Sequence, residues 1–314
     1  MRRRRTYTVA CLSGDGIGPE LMAQACNALA EVSRMHGFRV EDVHVPIGSE
    51  AVARHGQPVP AATRAAYLGA DALLVATAGE PVLAEVQQEL DLRAAITRVR
   101  LGAKTDLRVV YPLADDLTEW TIEKAFQIAR TSKGRLASVD EDLAFAELVE
   151  DAADRHAGVA VQHYSVPAGL PALAFAPDQF DVVVTGTLFG ETLTEIVAAV
   201  EREPRVLARG RLAENGPSVF SSGDSKMHDI AGLGVADPSS MLLAVATMLG
   251  EGLGEVGAAE TLAAAVTDVC GQGRRPLDRL LHGVAASSRQ FTQAVLSELV
   301  TTHSNAEFLR ESRT

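Results

Sequence analysis

The sequence predicts an α/β protein built from layered, mostly parallel sheets and divided into two domains. Three observations carry that prediction. Short β-branched or apolar runs alternate with helical patterns along the chain. A Gly-rich turn, Ser13-Gly14-Asp15-Gly16-Ile17-Gly18, joins the first apolar run to the first helix. The 314 residues, 47% of them apolar, supply enough hydrophobic surface for two cores.

Taken in chain order, Thr8 to Leu12 reads as the first strand and Leu21 to Arg34 as the first helix. Between them the glycines supply positive φ or close backbone approach, and Pro19 suits the first helical turn. Asp15 and Glu20 suit that helix's positive end. Further strands are expected at Ala72–Ala76, Leu107–Tyr111, Arg135–Val139, Val159–His163 and Asp181–Thr185. Helical periodicity fills Trp120–Thr131, Asp142–Arg155 and Glu191–Val200, then Pro238–Leu249 and Ala258–Cys270 toward the C-terminus. Strands alternating with helices imply parallel strands joined by crossover helices.

Composition excludes several classes. A formal net charge of −12 argues against nucleic-acid binding, which needs a basic face to displace counterions. No apolar run approaches the roughly 20 residues of a membrane span. The basic stretch Arg2 to Arg5 precedes only a short apolar run, too short for the core of a signal peptide, and reads as a solvated terminus. Cys11, Cys26 and Cys270 are far apart, with no CxxC or histidine-partner spacing, which fits a reducing cytoplasm and small core residues.

Two segments carry a family resemblance. The Gly-rich turn and Gln179-Phe180-Asp181-Val182-Val183-Val184-Thr185-Gly186-Thr187-Leu188-Phe189-Gly190-Glu191-Thr192-Leu193-Thr194-Glu195 resemble the decarboxylating β-hydroxyacid dehydrogenases, the isopropylmalate and isocitrate dehydrogenase family. The resemblance implies two α/β domains, a dinucleotide-side domain of residues 1–93 plus 203–314 and a dimerisation and metal-side domain of residues 94–202. It also implies NAD and Mg or Mn as cofactors, and a homodimer or a hetero-oligomer with an intact relative in the cytoplasm.

The resemblance places the site residues as follows. The family's two metal-binding aspartates correspond to Glu191 and Glu195, which at i and i+4 share one helical face. The same two acids also suit a helix N-terminus through its dipole. The third metal carboxylate falls on Pro167, which has no side-chain oxygen. The three substrate-clamping arginines fall on Gln87, Thr97 and Tyr111, with Arg98 one position away. The general-base lysine falls on Glu141, and the segment carrying the acid tyrosine is missing after Tyr111. Glu141, Tyr111 and His228 are therefore the catalytic candidates, with a solvated acid at a helix start the competing reading of Glu141. On the dinucleotide side Gly14, Asp15, Asp229 and Ile230 match, the last two in the NAD-preferring form. Asp237 replaces an asparagine, and Asp224-Ser225 replace a His-Gly.

The resemblance thus implies a divergent homologue lacking most of the catalytic residues, a pseudoenzyme acting as a non-catalytic binding or regulatory protein. Two alternatives stay open: an NAD- and Mg-dependent dehydrogenase of an unusual hydroxyacid, and a repurposed non-redox enzyme, either in specialised metabolism.

Overall fold

A computed structural model describes residues 5–101, 105–200, 207–223, 226–272, 274–276 and 284–311. These form two compact units, one of residues 1–90 with 216–314 and one of residues 91–215.

In the first unit, Val9 to Leu12 of β1 (Thr6–Leu12) have no exposed surface. Such a strand is covered on both faces, which is why its sequence is continuously apolar. α1 (Gly18–His36) places Leu21, Met22, Ala25, Ala28, Leu29 and Val32 on one buried stripe and ends at Gly37, whose φ of 78° supplies a left-handed cap. β2 (Arg39–His44), α2 (Ser49–His55), α3 (Ala61–Leu68), β3 (Ala72–Val75) and α4 (Glu80–Glu89) follow. β2 escapes a periodicity search because it is an edge strand of mostly exposed polar residues.

The second unit runs β4 (Leu92–Leu101), β5 (Thr105–Pro112), α5 (Thr118–Thr131), β6 (Arg135–Val139), α6 (Leu143–Ala153), β7 (Ala160–Tyr164), α7 (Val166–Phe175), β8 (Val182–Val184), α8 (Thr187–Val200) and β9 (Leu207–Ala213). Its strand order is β9-β4-β5-β8-β6-β7. β4 is antiparallel to β5 and β9, while β5, β8, β6 and β7 are mutually parallel. β9 pairs with β4, and this unit extends to residue 215.

The two faces of the β4–β5 ladder differ sharply. Ala95, Val99, Leu107, Val109 and Tyr111 enter one apolar cluster with Val139, Val183, Leu193 and Leu207. On the other face Arg98, Arg100 and Arg108 surround Asp106, which accepts from Arg98 Nε and Nη2 at 2.8 Å each. Burial opposes the Asp106 charge, but the guanidiniums of Arg98, Arg108 and Arg100 outweigh it and hold its carboxyl far below the usual range.

Back in the first unit come β10 (Ser218–Ser221), α9 (Ser239–Thr247), α10 (Val256–Gly271), β11 (Arg274–Pro276), β12 (Val284–Ala286) and α11 (Ser288–Glu311). The order β2-β1-β3-β10 is wholly parallel. Every residue of α9 is buried, so that helix is apolar all round.

Candidate functional site

The Gly-rich turn in the first unit is a close-packed junction. Gly14 and Gly16 have φ of +70° and +61°, and a Cβ on them would stand 1.5 Å from the Thr77 carbonyl oxygen and 1.8 Å from that of Lys226. Only glycine fits such approaches. The Ile17 amide donates to Lys226 O at 2.9 Å, and Thr77 Oγ1 donates to Asp15 O at 2.5 Å.

Asp15 faces into this junction. Its Oδ1 accepts from the Ser49 amide at 2.8 Å and its Oδ2 from Lys226 Nζ at 2.5 Å. Burial disfavours the Asp15 charge, yet Lys226 and Ser49 together hold its carboxyl below the usual range. Glu20, expected to serve its own helix, instead spans to a later loop and accepts from the amides of Gly232, Gly234 and Ala236 at 3.1, 3.3 and 3.1 Å. One carboxylate thereby organises the segment that carries His228, Asp229 and Ile230. His228 and Asp229 are exposed there and Ile230 is half-buried. Asp237 is buried, with Oδ1 accepting from the Ser239 amide at 2.8 Å at the start of α9. Asp224 and Ser225 lie outside the described residues.

In the second unit a pocket of about 660 Å³ opens where β5, β6 and β8 end. Open α/β sheets bind ligands at such carboxyl ends. Asp115, Asp116, Glu119, Asp140 and Asp142 line it, and its lining includes no lysine or arginine among the described residues. Much of that charge is spent on the backbone. Asp140 accepts from the amides of Glu141, Asp142 and Gly186, Asp142 caps α6 at the Ala144 amide, and Asp115 accepts from Thr187 Oγ1.

The candidates named by resemblance take separate posts. Glu141 accepts from the Val166 amide at 2.8 Å and so caps α7. Tyr111 is 9% exposed in the apolar cluster, its ring so close to α8 that a Cβ on Gly190 would fall 2.0 Å from the ring. Glu195 pairs with Arg209 of β9 at 2.7 Å. α8 starts at Thr187 and not at Glu191, so neither acid is at the helix's positive end. The side chain of Glu191 lies outside the described residues. Thr97 is buried between Val109 and Arg209 on the neighbouring strands, and Arg98, the alternative clamp, is spent on Asp106.

Sequence reasoning missed Lys226 and Arg209, which bind Asp15 and Glu195 across long chain separations and leave no local signal. It also separated the cysteines from histidine, whereas Cys11 and Cys26 lie beside His44; Cys11 is buried but Cys26 and Cys270 are only partly so.

The fold is shared with known dehydrogenases. A β-decarboxylating dehydrogenase from Thermococcus kodakarensis, in its apo form, superimposes with a TM-score of 0.83 at 22% identity, over 96% of this chain and 98% of that one. An isocitrate dehydrogenase from Methylococcus capsulatus gives 0.77 at 22% identity, over 93% and 99%. The architecture is thus the α/β fold of these structures, with a mixed, mostly parallel sheet. The isocitrate/isopropylmalate dehydrogenase family model matches residues 8–108 and 104–295. A 3-isopropylmalate dehydrogenase of Synechococcus sp. (strain CC9605) is 31% identical over 88% of this chain and 94% of its own length, and one from Streptococcus mutans serotype c 30% over 93% and 99%. The chain belongs to the isocitrate/isopropylmalate dehydrogenase family. Members of that family typically are dimers that use NAD(P) with Mg or Mn.

Proposed function

We propose that this chain does not carry out the family's oxidative decarboxylation by itself and acts by binding, as a regulatory member of the family. The observation that carries this reading is the acidic pocket at the strand ends of the second unit, lined by five carboxylates and, among the described residues, by no cation. The family's acids are anions, and a pocket lined by carboxylates without a cation among its described residues repels them.

The engagement of the candidate residues supports the same reading. Glu141 spends an oxygen on a helix amide, Tyr111 is packed beneath α8, and Glu195 is neutralised by Arg209. A hard cation seeks several oxygen donors. Glu195 shares its carboxylate with Arg209 and residue 167 is a proline, so two of the positions that correspond to the family's metal ligands are weakened or lost. The alignment with the Synechococcus relative spans 337 positions, more than the 314 residues of this chain, so that relative has segments without a counterpart here. That difference agrees with a segment missing after Tyr111.

The dinucleotide side fits its cofactor better. Asp229 is exposed in a loop fixed by Glu20, with its carboxylate available to accept from ribose hydroxyls. On this reading Gly14, Asp15 and Asp237 shape the loop's surroundings, while Asp229 and Ile230 face the nucleotide. Exposed Leu143, Phe175 and Leu188 on α6, α7 and α8 support pairing with a second copy or with an intact relative through the second unit. Asp229 equally supports the second reading, an NAD-linked dehydrogenase of a different hydroxyacid.

The test is NADH production from isopropylmalate, isocitrate and malate with NAD and Mg²⁺, beside calorimetric titration with NAD alone. The expected result is no turnover above background and a binding isotherm that Asp229→Ala weakens. Sustained turnover of any of the three acids overturns the proposal.

A further inference from the structure

The pairing of β1 with β2 sets Cys11 directly opposite His44. Directly paired residues of neighbouring parallel strands project from the same face of the sheet, and Asp42, two residues before His44, projects from it as well. α1 crosses that face and brings Cys26, one turn after the buried Met22. The result is a compact set of soft and borderline donors. Cys11 Sγ stands 3.9 Å from Cys26 Sγ, and Cys26 Sγ stands 3.9 Å from His44 Nε2. All three donor atoms lie within 4.8 Å of one another.

These spacings are nearly those of a metal shell. With Zn–S bonds of about 2.3 Å and Zn–N bonds of about 2.0 Å, tetrahedral geometry sets sulfur pairs about 3.8 Å apart and sulfur–nitrogen pairs about 3.5 Å apart. Two thiolates and an imidazole make a donor set that favours zinc over magnesium or calcium. Asp42 Oδ2 touches the same His44 Nε2 at 3.0 Å, so an oxygen donor stands where a fourth ligand is needed. Access is open on one side only, since Cys11 is fully buried while the side chains of His44 and Asp42 are 53% and 49% exposed.

We propose that Cys11, Cys26 and His44, with Asp42 or water as the fourth donor, form a binding site for Zn²⁺ or a similar thiophilic divalent ion at the β1–β2 edge of the first unit. The ion would tie the edge strand to its neighbour and to α1. Binding converts the thiols to thiolates and releases their protons to solvent, with no change of oxidation state. The proposal is independent of the catalytic state of the chain.

The test uses the full-length, tag-free, reduced protein titrated with Co²⁺ and then Zn²⁺. The expected result is one ion per chain, with the thiolate-to-cobalt charge-transfer band and the visible d–d bands of tetrahedral cobalt, both displaced by Zn²⁺. Cys26→Ser and His44→Gln each abolish the charge-transfer band or cut it sharply, whereas Cys270→Ser leaves it intact. The wild type gains thermal stability from Zn²⁺, and Cys26→Ser does not. Because His44 is half-exposed, His44→Gln keeps the test valid if Cys26→Ser fails to fold. An octahedral cobalt spectrum, bands undiminished by His44→Gln, or no uptake at all overturns the proposal. So does a Cys11–Cys26 disulfide that persists in reducing buffer, seen as the loss of two hydrogens in the intact mass.

Discussion

Replacing Asp106 with alanine should be among the most damaging single changes to the second unit. The Asp106 side chain is 15% exposed, and Arg98, whose two bonds to it are both 2.8 Å long, is 3% exposed. Arg108 retains Ser132 Oγ at 3.1 Å and Asp181 Oδ1 at 3.7 Å, but Arg98 loses its bidentate acceptor. Removing one partner of a buried ion pair costs about 3–5 kcal/mol. With a urea slope of about 2 kcal/mol/M, the unfolding midpoint should fall by about 1.5–2.5 M. Replacing both members, Asp106→Leu with Arg98→Met, should recover part of that loss, since it removes the most buried guanidinium while Arg100 and Arg108 still face position 106. Circular dichroism through a urea series gives both numbers. A fall of less than about 1 kcal/mol in Asp106→Ala, the range of an exposed pair, would refute the reasoning.

Gly190→Ala should destabilise markedly, because the new methyl would overlap the Tyr111 ring, and Tyr111→Leu should partly rescue it; thermal melts decide this. The Asp15 carboxyl is held below its usual range in the folded state, so its contribution exists above the unfolded carboxylate value of about 3.9 and disappears as pH falls through the folded value. Wild type should therefore exceed Asp15→Asn in stability at neutral pH, with the gap closing below about pH 4, as paired urea titrations across pH will show. Glu20→Ala should leave the amides of Gly232, Gly234 and Ala236 without their acceptor, and hydrogen exchange there should accelerate while that of β1 stays slow.

Legibility followed locality. The Gly14–Gly18 turn, the buried strand at Thr8–Leu12 and the amphipathic stripe of α1 are written in neighbouring residues, and each is read from spacing alone. The alternation of Leu107, Val109 and Tyr111 already marks one apolar face, so the burial of Tyr111 follows from period two even though its aligned position suggests substrate contact. Similarly Arg98, Arg100, Asp106 and Arg108 alternate onto the opposite face. What spacing cannot supply is register between strands. Cys11 meets His44 only because β1 and β2 pair in one particular alignment, and β2 carries too few apolar residues to announce itself. Glu141 reads as a base or as a solvated acid, and its actual post, capping α7, depends on where a later strand delivers Val166.

The bond from Lys226 to Asp15 joins residues 211 positions apart, and the Ile17 amide rests on the carbonyl of that same lysine. Synthesis runs from one end, so the opening turn leaves the ribosome with its polar groups uncompleted and must wait for the final third of the chain. The second unit, continuous from residue 91 to 215, faces no such delay. On the nascent chain the segment from 91 to 215 should become protease-resistant first, while the turn at residues 13–18, made before it, is secured after it.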